Sequence, residues 1–476
     1  MTHAAHPDTE RGWRAGLPSQ ASAERAAAIV IASPLLVWPA LLNGYPIIFV
    51  DTAAYLLHTI TGEAPWDKTA AYGPFLWLFH QGFSLWLSVA AQGLILSSVL
   101  WLTQRVACGV VSPTRHLLLA LGLGGLSSAP WFAATVMPDF FTPIVVLCLF
   151  LLGFGEARLS RAEMAGTGIL GAVAIAVHLS HLPTALALVM LVLVIRRRWQ
   201  PTLRAALPVM AAIMFLLGTT WHATGRVTLS ANGAVFLFAR LQADGPATWT
   251  LRDRCPASDW YLCDFIDRMP MDSDHFLWNP RSPPAMDAAG RHRPMGAVLL
   301  APEARAVVAA TLRAYPADVA AAALRNTLAQ LSRTRVGDMF DEADLDQFGE
   351  GVLARGFPAR ERAAFAQGAQ MQGALARLAA PALRLHGAVL VLSAILLVAV
   401  AWRPAFRADR QRLGLVLCIL LGMAANAFAT GALSKPHDRY QARIIWLLPL
   451  GAAIAAWPAG LVFRARPKAP ALEPMT

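Results

Sequence analysis

The chain has 476 residues, 56% of them hydrophobic and only 14% charged, with a formal net charge of +11. Soluble proteins carry about 25% charged residues, so an ordinary soluble domain is excluded. The apolar residues fall in Ala- and Leu-rich runs near the ~20 that cross a bilayer, without the period-2 alternation of a membrane β-barrel. The expected fold class is an all-α membrane protein with juxtamembrane amphipathic helices and a mostly helical domain outside the membrane.

Residues 1–25 are polar, contain Arg11, Arg14 and Arg25, and lack the pattern of a cleavable signal. Hydropathy then predicts about ten spans: 26–43, 83–103, 116–135, 140–154, 166–180, 182–195 and 205–222 in a first module, and 384–402, 413–432 and 444–463 in a second. Every second connection is Arg-rich: Arg105 and Arg115, Arg158 and Arg161, Arg196 to Arg198 with Arg204, Arg403 to Arg412, and Arg464, Arg466 and Lys468 in the tail 464–476. The positive-inside rule puts these on the cytoplasmic side with both termini. The net charge is then topology rather than a nucleic-acid footprint. The expected location is a bacterial inner membrane.

The outer side then holds 44–82, 136–139, the turn near 178–183, a domain at 223–383, and 433–443. The domain opens with a Pro- and Asp-rich half and continues Ala-rich and helical from Pro302 to Gln330 and from Pro358 to Ala379. Cys255 and Cys263 lie in it, where an oxidising exterior would allow a disulfide; two unpaired thiols are the alternative. Cys108, Cys148 and Cys418 lie in or beside spans and read as packing residues.

The outer segments carry the candidate chemistry. Asp51 follows the turn Asn43-Gly44-Tyr45-Pro46 and heads an amphipathic stretch, Thr52 to Ile60, where a general base could meet both water and lipid. Asp139 sits in Val-Met-Pro-Asp-Phe-Phe and is either a helix-capping acid or a second site acid, since ionisable groups near membrane depth are functional candidates. His178 and His181 are spaced to share a helix face and are either divalent-metal ligands or interfacial histidines with satisfied hydrogen bonds; His58 and His80 carry the same ambiguity. The segment Ser434 to Arg443 places Lys435, His437, Arg439 and Arg443 within nine residues, with Pro436 expected in a first helical turn. Two guanidiniums and an ammonium suit a phosphate or pyrophosphate; snorkelling anchors are the alternative. No Walker loop or dinucleotide fingerprint occurs.

An outer acid after the first span, amphipathic juxtamembrane helices, a Pro-Asp turn between spans three and four, a large outer loop after span seven and a late His-Asp-Arg-Tyr segment together resemble the GT-C superfamily of integral-membrane glycosyltransferases. The aminoarabinose transferases and protein O-mannosyltransferases, which use polyprenyl-phosphate-linked sugars, belong to the group that the chain resembles. The resemblance implies inverting transfer from a polyprenyl-phosphate-linked sugar to a glycan, lipid or protein acceptor. Asp51 would be the base, with Asp139 as a second acid, and Lys435, His437, Arg439 and Arg443 would bind the phosphate. Many members carry two adjacent acids in the first loop; here Thr52 follows Asp51, so one acid carries over. Two other classes compete: a lipid-phosphate transporter or flippase, and a non-catalytic envelope-assembly protein. Transporters commonly show repeats and mid-membrane charges, whereas here the polar residues gather at one face.

Overall fold

The computed structural model describes residues 20–457 except 64 and 344. Arg11, Arg14, Arg464, Arg466, Lys468, most of both predicted tails and the end of the tenth predicted span lie outside the described residues. Among those described, the chain is all-helical and contains no strand; one isolated parallel bridge joins Ile47 to Thr135.

The centre is the helix Phe141–Phe154, in which every residue is buried. Apart from Thr142 its sequence is apolar, which is what an innermost helix requires. Helices Trp86–Cys108, Arg161–Ala176, His181–Arg196, Trp199–Thr224 and Arg410–Gly431 surround it. Apolar burial gives little drive between helices in lipid, so close packing must hold them. Gly414 and Gly422 make it possible on Arg410–Gly431: a Cβ there would come within 2.5 Å of Phe154 and 2.6 Å of Val146.

Four helices are long and apolar enough to cross a membrane: Trp86–Cys108, Trp199–Thr224, Leu375–Ala401 and Arg410–Gly431. A fifth candidate is the pair Gly296–Ala314 and Pro316–Ser332, bent by 102°. The other hydropathic segments form shorter or broken helices. Segment 26–43 divides into Gln20–Leu35 and Trp38–Asn43 around Pro34 and Pro39. Segment 116–135 divides into Pro113–Leu126 and Ala129–Ala134 just before Pro130. The tenth becomes Asp438–Ile445 and Leu447–Ala456. Proline removes a backbone donor and clashes with the preceding turn, so it cuts helices that hydropathy alone runs together.

The basic connections meet at one end of the bundle. Arg25 and Arg105 both pair with Glu163, Arg158 donates to the Val106 carbonyl, and Arg196 and Arg204 share Glu156. Arg115 donates to Cys108 Sγ and lies over the Trp457 ring, whose backbone carbonyl accepts from Arg412.

The segment 223–383 divides between two cores. Helices Gly233–Asp244, Pro246–Arg254, Ser273–Trp278 and Gly296–Ala314 enclose their own, including Phe238, Leu251, Phe265, Phe276 and Val307. Cys255 and Cys263 form a disulfide in this unit. Phe340, Phe348, Leu353, Phe365 and Leu375 belong instead to the main core with the bundle. Buried Glu361 accepts from Tyr45 Oη and the Leu85 amide, and Gln370 bonds both backbone groups of Ile48. These contacts brace the chain ahead of Asp51.

Candidate active site

Asp51 is placed by backbone pairing. The Ile47 amide donates to the Ala134 carbonyl, the Val136 amide to the Ile47 carbonyl, and Thr52 Oγ1 to the Val136 carbonyl at 2.8 Å. The first loop is thereby fixed against the chain leading to Asp139. Asp51 occupies the N-cap position of Thr52–Thr61, yet its side chain makes no capping hydrogen bond. The carboxylate is free to face the cavity while sitting at the positive end of the helix dipole.

Asp139 lies in the 3-10 turn Pro138–Phe140 that leads into the central helix and is 2% exposed. Its partner is Arg443, on the helix Asp438–Ile445, at 3.0 Å. Arg443 is fully buried and also donates to Ser180 Oγ at 3.1 Å and Asn426 Oδ1 at 2.9 Å. It therefore ties together the start of the central helix, the 178–181 turn and the helix Arg410–Gly431. Such a buried pair is held by its geometry, and removing one partner leaves an uncompensated charge.

Arg439 lies one turn earlier on the same helix, as the sequence spacing predicts. Its guanidinium carbon is 4.0 Å from the Phe49 ring centroid and 5.1 Å from that of Tyr440. Nη2 is 4.0 Å from Asp51 Oδ2, and Nη1 is buried without a hydrogen-bond partner. Buried donors are almost always paired, so this N–H has hydrogen-bonding capacity left over, as does Arg443 Nε.

Asp51, Asp139 and Arg439, far apart in sequence, line one cavity of about 290 Å³. That lies close to the lower end of the ~300–1,000 Å³ typical of small-molecule sites. His178, Ser180, Tyr55, Tyr440, Asp67 and Lys68 share its wall. Asp67 and Lys68 do not stand out in the sequence as site residues. Lys68 Nζ lies 3.0 Å from Asp51 Oδ1 and also pairs with Asp67. Burial alone would lower the pKa of this ammonium, but Asp51 and Asp67 outweigh burial and raise it. The signal was an isolated Asp-Lys pair behind Trp66, in a loop with only one other charge after Asp51.

The cation cluster expected at 435–443 separates. Arg439 reaches the cavity wall, and Arg443 is buried behind it. Lys435 and His437 turn to the 235–308 unit instead. Lys435 Nζ lies 2.8 Å from Asp272 Oδ2 and 2.9 Å from Asp274 Oδ2, and His437 Nε2 lies 3.1 Å from the same Asp274 oxygen. Both are thus committed to carboxylates rather than to a phosphate. Burial would raise the Asp274 pKa, but His437 and Lys435 outweigh it and hold it down to about 2. Pro436 falls just before the helix, whose N-cap is His437.

The two histidines of the 178–181 turn also part company. His178 lines the cavity and contacts Ser180 Oγ at 2.7 Å. His181 is buried between Thr142 Oγ1 at 2.8 Å and the Ala174 carbonyl at 2.6 Å. With both ring nitrogens engaged, it is a packing histidine. Among the described residues no three His, Cys, Asp or Glu side chains converge as a metal site. His58 and His80 do not line the cavity; His80 Nδ1 accepts from the Gly82 amide.

The cavity therefore has an ionic wall (Asp51, Lys68, Arg439), an aliphatic side (Leu179, Pro183, Ala429, Leu433) and an aromatic side (Phe236, Trp278). It can hold an anion against Arg439 and Lys68 with a carboxylate beside it. No protein-family model, curated protein or solved structure matches this chain.

Proposed function

We propose that the chain is a membrane glycosyltransferase that moves a sugar from a polyprenyl-phosphate carrier to an acceptor at the outer face of a bacterial inner membrane. In this reading its hydropathic segments make about ten crossings, some of them broken, with both termini cytoplasmic. The observation that carries the reading is that Arg439, whose buried Nη1 has no hydrogen-bond partner, lines one cavity with Asp51 and Lys68. A carboxylate beside two cations suits a reaction that takes a proton from one group while an anion leaves another.

In the proposed step the donor phosphate lies against Arg439 and Lys68, and Lys68 exchanges Asp51 for a phosphate oxygen. The released Asp51 carboxylate takes the proton of the acceptor O–H as the acceptor oxygen bonds to the anomeric carbon. The bond from that carbon to the phosphate oxygen breaks, and its electron pair stays on the polyprenyl phosphate. Arg439 and Lys68 stabilise the charge that develops there. A well-placed base contributes about 10²–10⁴-fold. Asp139 acts as a positioning residue, through Arg443, for the helix that carries Arg439. The aliphatic side of the cavity, next to exposed Phe428 and Leu433, gives the lipid tail a way out to the bilayer.

The test is transfer from a panel of radiolabelled polyprenyl-phosphate sugars by the protein reconstituted in lipid. Asp51→Asn should abolish transfer while folding normally. Arg407→Ala, on an exposed residue bonded to the Ala401 and Trp402 carbonyls, should leave transfer intact. Full turnover by Asp51→Asn would overturn the reading.

A further inference from the structure

An aromatic cluster at the cavity, two of whose rings line it, is built from three separate segments. Trp66 comes from the first loop, Phe236 from the helix Gly233–Asp244, and Trp278 is the last residue of the helix Ser273–Trp278. Ring centroids are 5.8 Å apart for Trp66 and Phe236, 5.9 Å for Trp66 and Trp278, and 6.2 Å for Phe236 and Trp278. Phe236 and Trp278 line the cavity, and Trp278 is 52% exposed.

That exposure does not come from a loose side chain. Asn232 Nδ2 donates to the Trp66 carbonyl at 2.9 Å, joining the first loop to the start of the helix bearing Phe236. The helix bearing Trp278 is anchored by Phe276, which is fully buried. Its N-terminal end is clasped by Lys435 and His437 through Asp272 and Asp274. The structure thus holds a half-exposed tryptophan in place at the wall of the cavity.

The surroundings select among ligands for that face. An aliphatic tail has the Leu179, Pro183, Ala429 and Leu433 side available. A cation would gain no free carboxylate from Asp67, which is paired with Lys68, or from Asp272 and Asp274, which are paired with Lys435. An extended peptide finds no strand edge to add to among the described residues. A pyranose ring suits this lining: one of its faces presents C–H groups to an aromatic face, and Ser230, another lining residue, is a partner for a hydroxyl. Apolar walls with a few placed polar groups are the usual make-up of such sites.

We propose that Trp278, Phe236 and Trp66 form a carbohydrate-ring subsite for the acceptor, so that the acceptor is a glycan. The proposal rests on the transferase reading, but its test reads binding without turnover. Full-length protein in lipid nanodiscs is examined by saturation-transfer NMR with chitobiose, cellobiose, mannobiose and lactose, without donor. At least one disaccharide should receive saturation at its ring C–H protons. Trp278→Ala should weaken its binding about tenfold, as loss of about 1.4 kcal/mol does. Trp278→Phe, which keeps a ring face, should retain binding within about threefold. Trp402→Ala, an exposed tryptophan outside the cavity, should have no effect. Absence of binding by all four sugars, or binding that Trp278→Ala leaves unchanged, overturns the subsite. Displacement of the bound sugar by Asp51→Asn alone, with Trp278→Ala silent, also overturns it. Failure of the transferase reading shows separately, as turnover by Asp51→Asn.

Discussion

Replacing Arg443 should unfold the site rather than only slow it. The guanidinium is fully buried and bonds Asp139 at 3.0 Å, Ser180 at 3.1 Å and Asn426 at 2.9 Å. Arg443→Met removes the charge, keeps much of the volume and strands the Asp139 carboxylate, itself 2% exposed. Breaking a buried pair from one side costs about 3–5 kcal/mol. Asp139→Asn on the same background removes the stranded charge and should recover part of that loss, with a coupling of about 0.5–3 kcal/mol between the two positions. Arg439→Met should be far milder in stability, because the carboxylate nearest its guanidinium is 4.0 Å away and its Nη1 has no partner to lose. Thermal unfolding of the lipid-reconstituted protein, followed by size-exclusion recovery after heating, reads all three variants, with Asp139→Asn alone closing the cycle. Wild-type thermal stability in Arg443→Met would refute the view that Arg443 is the buried tie of the site.

Further outcomes are expected at the other charged residues. Arg439→Ala should lower transfer by about tenfold to hundredfold, from loss of a charge-assisted hydrogen bond of roughly 1.5–3 kcal/mol, measured as initial rates at fixed donor; unchanged rates would make it a membrane anchor. Lys68→Met should weaken donor binding yet leave Asp51 more open to solvent, which equilibrium binding of unlabelled polyprenyl phosphate would show. The clasp on Ser273–Trp278 depends on pH. The folded Asp274 pKa is held down to about 2 from an ordinary 3.8, so its contribution is present above pH ~4 and lost as pH falls toward 2. Hydrogen exchange across 270–280 should therefore rise in that window, and should rise at neutral pH in Lys435→Ala. Reducing the Cys255–Cys263 bridge, which spans eight residues, should destabilise the 235–308 unit by roughly 2–3 kcal/mol, seen as faster proteolysis there with the bundle unaffected.

Some of this site was legible in the sequence for a physical reason. Asp51 and Asp139 stand beside apolar segments where an acid is expensive, and the i,i+4 spacing of Arg439 and Arg443 fixes a common helix face. The rest was hidden by distance along the chain. Lys435 and His437 resembled phosphate ligands because their neighbours are cationic, but their partners Asp272 and Asp274 lie 163 and 161 residues upstream of Lys435. Arg443 was read as a ligand because sequence does not show that Ser180, Asn426 and Asp139 surround it. Lys68 was missed because a single lysine in a polar loop is ordinary until Asp51 is seen 3.0 Å away. In the fold, hydropathy found the apolar segments but not their breaks, since it weighs Pro34, Pro39 and Pro130 by polarity rather than by the hydrogen bonds they remove. The division of 223–383 between two cores depends on which apolar residues meet in space, which their spacing does not encode.

The most direct measurement of the central claim is an experimental structure of the lipid-reconstituted protein with bound polyprenyl phosphate. The account predicts phosphate oxygens within about 2.7–2.9 Å of Arg439 Nη1 and Lys68 Nζ, Asp51 no longer bonded to Lys68, and the tail leaving past Leu433 and Ala429. A phosphate bound instead at the opposite end, among Arg196, Arg204 and Arg105, with the Asp51–Lys68 pair intact, would contradict it.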